Sequence, residues 1–215
     1  MPRMKGREVQ VEISKTLAAP ITITAITKAS PPVASATAHG LAAGAVGFLN
    51  GVTGMVTLDG QAVRVLSPST DAFSLADLTT VGLPDFTAGT FVRVSEWASF
   101  GTITSFEMSG GEGIESDVGT LHDSVDQIEY GGLSAQSFSF NSLFELPNGE
   151  AMTLLRNAAR AQAFVVLRIT AKTGEQIIAR VQPSLPTASL SKGETGTRTF
   201  GAAVKGQVLE LAAVA

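Results

Sequence analysis

Residues 137–141, Ser-Phe-Ser-Phe-Asn, alternate polar and apolar side chains, the period of a half-buried strand. Turn residues follow at 145–149, with Asn148 placed to cap a helix. From Ala151 the apolar positions fall at Ala151, Leu154, Leu155, Ala158 and Ala159, with Thr153, Arg156, Asn157 and Arg160 opposite. That spacing predicts one amphipathic helix of about three to four turns. Two runs rich in β-branched residues, 164–170 and 176–181, then read as a hairpin closed by Lys172-Thr173-Gly174. No other stretch carries a convincing helical period, so the remainder is expected to be strands packed around this unit.

Earlier in the chain, residues 8–14 alternate and place Val9, Val11 and Ile13 toward a core, with polar side chains outward. Between 21 and 94 the composition shifts to Ala, Gly, Thr, Val, Pro and Ser with little charge. Short strand candidates at 21–27, 33–37, 45–49, 62–66 and 91–94 are separated by Pro31-Pro32, His39-Gly40, Asn50-Gly51, Asp59-Gly60 and Pro84-Asp85. This predicts a small all-β barrel or sandwich. A strand over 98–108 follows, then a glycine-flanked acidic stretch, 110–132, holding Glu112, Glu115, Asp117, His122, Asp123, Asp126 and Glu129. Read as a loop, it is longer than compact domains usually tolerate, which marks it as functional or ordered by a partner. Strands over 184–190 and 197–211 close the chain around a Gly-rich turn at 191–196. Removing 22–94 leaves a coherent unit, so the expectation is a discontinuous domain, 1–21 and 95–215, with 22–94 inserted in one of its loops.

Composition narrows the function. The 215 residues include no cysteine, which excludes disulfides, thiolate metal sites and a cysteine nucleophile. Hydrophobic residues make up 44% and charged residues 16%, a globular balance, and the formal net charge of −4 argues against gripping nucleic acid phosphates. The basic start, Met1 to Arg7, lacks a following apolar segment, so no Sec signal is read there. Nor does any apolar run approach the roughly 20 residues of a membrane helix, and a soluble protein without a membrane anchor is expected.

Two resemblances rest on these residues. Residues 23–29, Thr37-Ala38-His39-Gly40-Leu41, Gly51-Val52-Thr53-Gly54-Met55, Leu58-Asp59-Gly60 and Asp71-Ala72-Phe73-Ser74-Leu75 resemble a small β-barrel module of phage structural proteins. Sequence profiles name that module after the first catalytic-cysteine half-domain of ubiquitin-activating enzymes; without a cysteine, thioester chemistry is excluded here. The remaining framework is similar to the major tail tube protein of long-tailed, siphovirus-type bacteriophages. The order of parts carries this: terminal strand, extended loop, Phe-alternating strand, Pro147-Asn148-Gly149-Glu150 before an Ala-rich helix, apolar hairpin, and Gly-rich turn before the last strand. The resemblance implies a mainly β fold, a tail-tube β-sandwich with one flanking α-helix plus the inserted barrel. It also implies stacked hexameric rings around a channel that encloses the tape-measure protein and conducts the genome. Tail terminator and distal tail proteins would be further partners, DNA would pass without specific binding, and the protein would assemble in the host cytoplasm. Unlike the family's usual C-terminal decorations, the extra module here lies near the N-terminus.

Candidate chemistry is sparse. His39 reads as a turn residue, and His122 beside Asp123 as a pairing or interface group, not a zinc ligand. The acidic residues of 112–126 lack the spacing of a calcium loop. Ser189-Leu190-Ser191-Lys192 and Lys172-Thr173-Gly174 match pieces of the penicilloyl-serine enzyme signature, but in reversed order and on strand and turn, so the match is coincidental. No phosphate-binding glycine loop or nucleophile elbow occurs. No catalytic residue, metal or cofactor is expected; the acidic residues Glu112 to Glu129 are expected to divide between channel lining and contacts within and between rings. The rival reading is an adhesin or baseplate-type module presenting 22–94 to a host surface, although Trp97 and Tyr130 are the sole Trp and Tyr available to stack on a sugar.

Overall fold

A computed structural model describes residues 9–117 and 128–213. It is mainly β, with one α-helix among the described residues. Strands β1 (Val9–Leu17), β2 (Ile21–Ile23), β3 (Ala25–Ile26), β4 (Val33–Ser35), β5 (Val46–Thr53), β6 (Ala62–Leu66), β7 (Ala72–Leu75) and β8 (Ala88–Ser99) form the first half. They are followed by β9 (Ile103–Ser109), β10 (Gly113–Asp117), β11 (Ile128–Leu133) and β12 (Ser137–Leu143). After α1 (Glu150–Arg160) come β13 (Val165–Ala171), β14 (Gln176–Pro183), β15 (Thr187–Ser189) and β16 (Thr197–Leu211). One large antiparallel sheet runs β3-β4-β7-β6-β5-β8-β1-β13-β14-β16-β12-β9, with β2 on β8 and β15 on β16; β10 and β11 form a separate pair.

Two apolar cores sit along this sheet. The first gathers Leu49, Met55, Val63, Phe73, Leu75 and Phe91 from β5 to β8 and the 3-10 turn region between them. The second lies between β1-β13-β14 and β12-β16, where Ile13, Ile169 and Val181 meet Phe138, Phe140 and Phe200, and Ala151, Met152 and Leu155 of α1 close over it. A row of rings, Phe106, Phe140, Phe200 and Phe100, crosses the strands at centroid spacings of 6.3, 5.1 and 5.7 Å. Strand alternation explains the division. On β13, Leu167 and Ile169 face the second core while Val166, one step out of phase, joins the first with Ile178, Leu209 and Leu211. The central strands are therefore buried on both faces.

Polar locks fix the two halves together. β16 bulges where Ile178 pairs with Leu209 but Arg180 pairs with Lys205. Gly206 makes the bulge at φ +84°, and a Cβ there would overlap the Gln61 amide oxygen. Gln61, 2% exposed, donates to the Gln207 carbonyl (3.0 Å) and accepts from the Gln207 N–H (2.7 Å). Arg64 reaches the Ala212 carbonyl at 2.7 Å, and burial pushes its guanidinium below the ordinary arginine pKa. Lys205 meets Asp59 at 3.4 Å, and Arg180 lies 4.1 Å over the Phe48 ring.

Three local expectations are corrected. Gly149, not Asn148, is the helix N-cap, and it offers no side chain to the helix; Asn148 instead accepts from Arg198 at 2.8 Å. The 98–108 strand is interrupted at 100–102, so Ser99 ends β8 and Ile103 starts β9. The described ends of the 110–132 stretch are not a structureless loop: β10 pairs with β11, which runs one residue past it, from Gly113 opposite Leu133 to Asp117 opposite Ile128.

Candidate assembly interface

The acidic residues chosen from sequence are placed by the β10–β11 arm. Glu112 stands exposed at its base, Glu115 lies on β10 opposite Tyr130, Asp117 ends β10, and Glu129 sits on β11 opposite Ser116. His122, Asp123 and Asp126 fall outside the described residues. The arm's base is built by its backbone. Gly110 turns the chain at φ +90°, where a Cβ would overlap the Ala135 carbonyl. Gly111 N–H then donates to the Ser134 carbonyl (3.1 Å), Ser134 N–H to the Glu112 carbonyl (2.7 Å), and Glu112 N–H to Ser134 Oγ (3.1 Å). Beyond that clamp the arm pairs only with itself among the described elements.

Exposed apolar side chains on the arm and β9 escaped the sequence reading. Ile114 is 53% exposed and Leu133 73%, one on each strand of the arm, and Met108 on β9 is exposed beside them in the chain. Leu143, Leu146, Leu185 and Leu190 add further uncovered positions in the loops and strand ends. Large exposed apolar surface marks association sites. The signal was present as Ile and Leu inside a glycine- and carboxylate-rich stretch, but charge dominates composition there. β9 pairs with β12 along one edge and ends the sheet path on its other edge. Val9 and Val11 of β1 face Ile103 and Phe106 of β9 across an open cavity of about 720 Å³. An unpaired edge of this kind is a template for another strand.

The described residues bring together no group of three or more His, Asp or Glu side chains able to hold a metal ion. His39 is packed in the first core: its Nδ1 accepts from Leu41 N–H at 3.0 Å and its ring stands edge-on to Phe73 at 5.0 Å. Charges elsewhere are paired for structure. Glu12, 8% exposed, holds Arg168 through Nε (2.8 Å) and Nη2 (2.7 Å), and that guanidinium lies 4.0 Å over Trp97. Lys15 bridges Glu150 on α1 (2.9 Å) and Glu96 on β8 (3.6 Å); the Glu150 hydrogen bond leads in raising its pKa.

Its polar side chains hold strand to strand and several large apolar ones stand exposed in loops and at strand ends, the features of a structural protein. The family model for the phage tail tube protein, TTP, matches residues 53–213, and the chain belongs to that family. The match begins within the stretch read from sequence as the small module and continues through both cores to the end of β16. No curated protein matches the chain. Family membership places the protein in the virion tail, where it assembles with itself into a tube.

Proposed function

We propose that this is the major tail tube subunit of a long-tailed, siphovirus-type phage, and that six copies close into a ring whose stacked repeats form the genome channel. The observation that carries the reading is the uncovered apolar pair Ile114 and Leu133 on the arm that β9 leads into, together with the free edge of β9. Burying each such side chain contributes about 1.5–3 kcal/mol, and pairing each edge removes an aggregation hazard. Cyclic closure leaves no free edge within a ring. The arm reaches a neighbouring subunit and the adjacent ring, its carboxylates shared between those contacts and the bore. A net negative lining lets DNA pass without sticking and leaves room for the tape-measure protein before ejection. The 22–94 unit is an inserted decoration on the tube's exterior. Terminator and distal tail proteins cap the two ends, and assembly takes place in the host cytoplasm.

Negative-stain electron microscopy of the purified chain at high concentration tests this. Hollow, regularly striated tubes with sixfold end views are expected. Monomers or trimers at every concentration, with no tubes even when nucleated on tail tips, would overturn it.

A further inference from the structure

We propose that a cavity beneath the N-terminus of α1 receives a carboxylate from the arm of a second copy of the chain, an inference that rests on the tube reading above. The cavity holds about 200 Å³ and is lined by Ser99, Thr102, Glu145, Asn148, Met152 and Arg198, among others. Arg198 is 7% exposed. Its Nη1 donates to Asn148 Oδ1 at 2.8 Å and its guanidinium lies 4.6 Å over the Phe144 ring, but neither neighbour is charged. Among the described residues no carboxylate forms an ion pair with it; Glu145 stands at the rim, exposed. A guanidinium so far removed from water normally has a counter-charge.

Two further observations bear on this place. Ser142 does not line the cavity, but it lies directly opposite Arg198 in the β12–β16 ladder, on the same sheet face. Its buried Oγ has no hydrogen-bond partner among the described residues, so nothing on that face answers the guanidinium with a charge. The first turn of α1 begins at Gly149 with no side-chain cap, leaving N–H donors at the end of the helix where negative charge is favoured. A buried cation and an uncapped helix terminus thus face one cavity, and an anion answers both.

Strand direction identifies its source. β9 starts at Ile103 beside the cavity and ends at Ser109, where the arm begins; β12 leaves the arm at Ser137 and returns to Leu143 at the cavity. Arm and cavity thus leave opposite ends of one strand pair, separated by seven residues of β9, roughly 23 Å. A copy displaced along that axis brings its arm, with Glu112 and Glu115, to the cavity of the next. Contacts between two unlike surfaces of one molecule do not close on themselves but propagate into a filament.

The natural absence of cysteine makes the test direct. Full-length chains carrying Glu145→Cys with either Glu112→Cys or Glu115→Cys, all at exposed positions, are assembled and then oxidised. A ladder of disulfide-linked multimers is expected from a paired variant and from none of the single ones. Well-formed tubes that give no ladder from either pair overturn the docking while leaving the tube reading intact; wild-type chains that never form tubes overturn the tube reading itself. Gly149→Asp supplies an independent readout, since a Cβ at Gly149 meets nothing within 4 Å. Its own carboxylate caps α1, raising the thermal midpoint, and fills the cavity, so that tube assembly is lost. A stabilised Gly149→Asp chain that assembles like wild type would overturn the proposal.

Discussion

Glu12 shows how much one side chain can decide. It lies opposite Arg168 in the β1–β13 ladder and also accepts from Ser99 and Gln10, so removing its carboxylate strands a half-buried guanidinium against Trp97. Glu12→Ala is expected to lower the unfolding free energy by about 3–5 kcal/mol in urea titration. Gln61 acts on backbone instead of charge: Gln61→Ala leaves the Gln207 N–H and carbonyl without their partner and should cost about 1–3 kcal/mol by the same measurement. Asp59 adds a pH dependence. Its burial favours the neutral acid, yet Val52 N–H and the Lys205 charge outweigh that and hold its pKa below the ordinary carboxylate value. With the folded pKa depressed, the unfolded chain takes up the proton first as pH falls. The Asp59 contribution is therefore present at neutral pH and lost on acidification through the folded pKa. Asp59→Asn should flatten the acid limb of a thermal-midpoint-versus-pH curve and leave its neutral part lower.

At the scale of elements, the arm is the exposed part. A two-stranded pair alone in water is marginal, and this one carries Ile114 and Leu133 outward. Ile114→Lys and Leu133→Lys should each leave the thermal midpoint of the monomer unchanged and abolish association measured by sedimentation; an assembly-competent Leu133→Lys chain would remove the arm from the interface. Period alone makes other elements legible in the sequence. The strand over 62–66 and the final strand over 197–211 coincide with β6 and β16, and the helix begins one residue before its expected start. Local pattern missed what depends on distant partners. Asn148 has the chemistry of a cap, but Arg198, fifty positions away, claims its oxygen. The break at 100–102 needed knowledge that Phe100 N–H would bond back to the Val11 carbonyl. Glu12 sits in an alternating strand on the face expected to be wet, and it is buried because the far side of β1 is covered too. For the interface, the carboxylates of the arm were legible as a composition run, whereas Arg198 was invisible: a single Arg in a Thr-rich strand becomes notable only once its burial is known.

For the whole molecule, the question is how residues 22–94 relate to the rest. Val166, Ile178, Leu209 and Leu211 are covered by the core to which Phe73 and Phe91 belong. If 22–94 is the inserted unit we propose, its deletion uncovers an apolar patch on β13, β14 and β16. Replacing it with a short polar linker should yield a chain that binds a hydrophobic dye or precipitates, and a well-behaved, dye-silent deletion would show the cover to be dispensable.

β8 is one uninterrupted strand of twelve residues, paired with β2 and β5 through its first half and with β1 through its second. Leu17 lies opposite Val94, and Ile21 opposite Phe91. One chain passage between the halves is β8 itself; the other is β1 and β2, which lie antiparallel to β8 on either side of a break at residues 18–20, where Ala18 N–H still donates to the Arg93 carbonyl at 2.8 Å. A load applied to the half that holds β5–β7 is delivered along the strand axes, so the β1–β13 ladder is loaded in shear, its five residue pairs from Val9–Ala171 to Ile13–Leu167 resisting together. If residues 22–94 are the outward projection we propose, a load on it is carried along β8 and β1 into the second core.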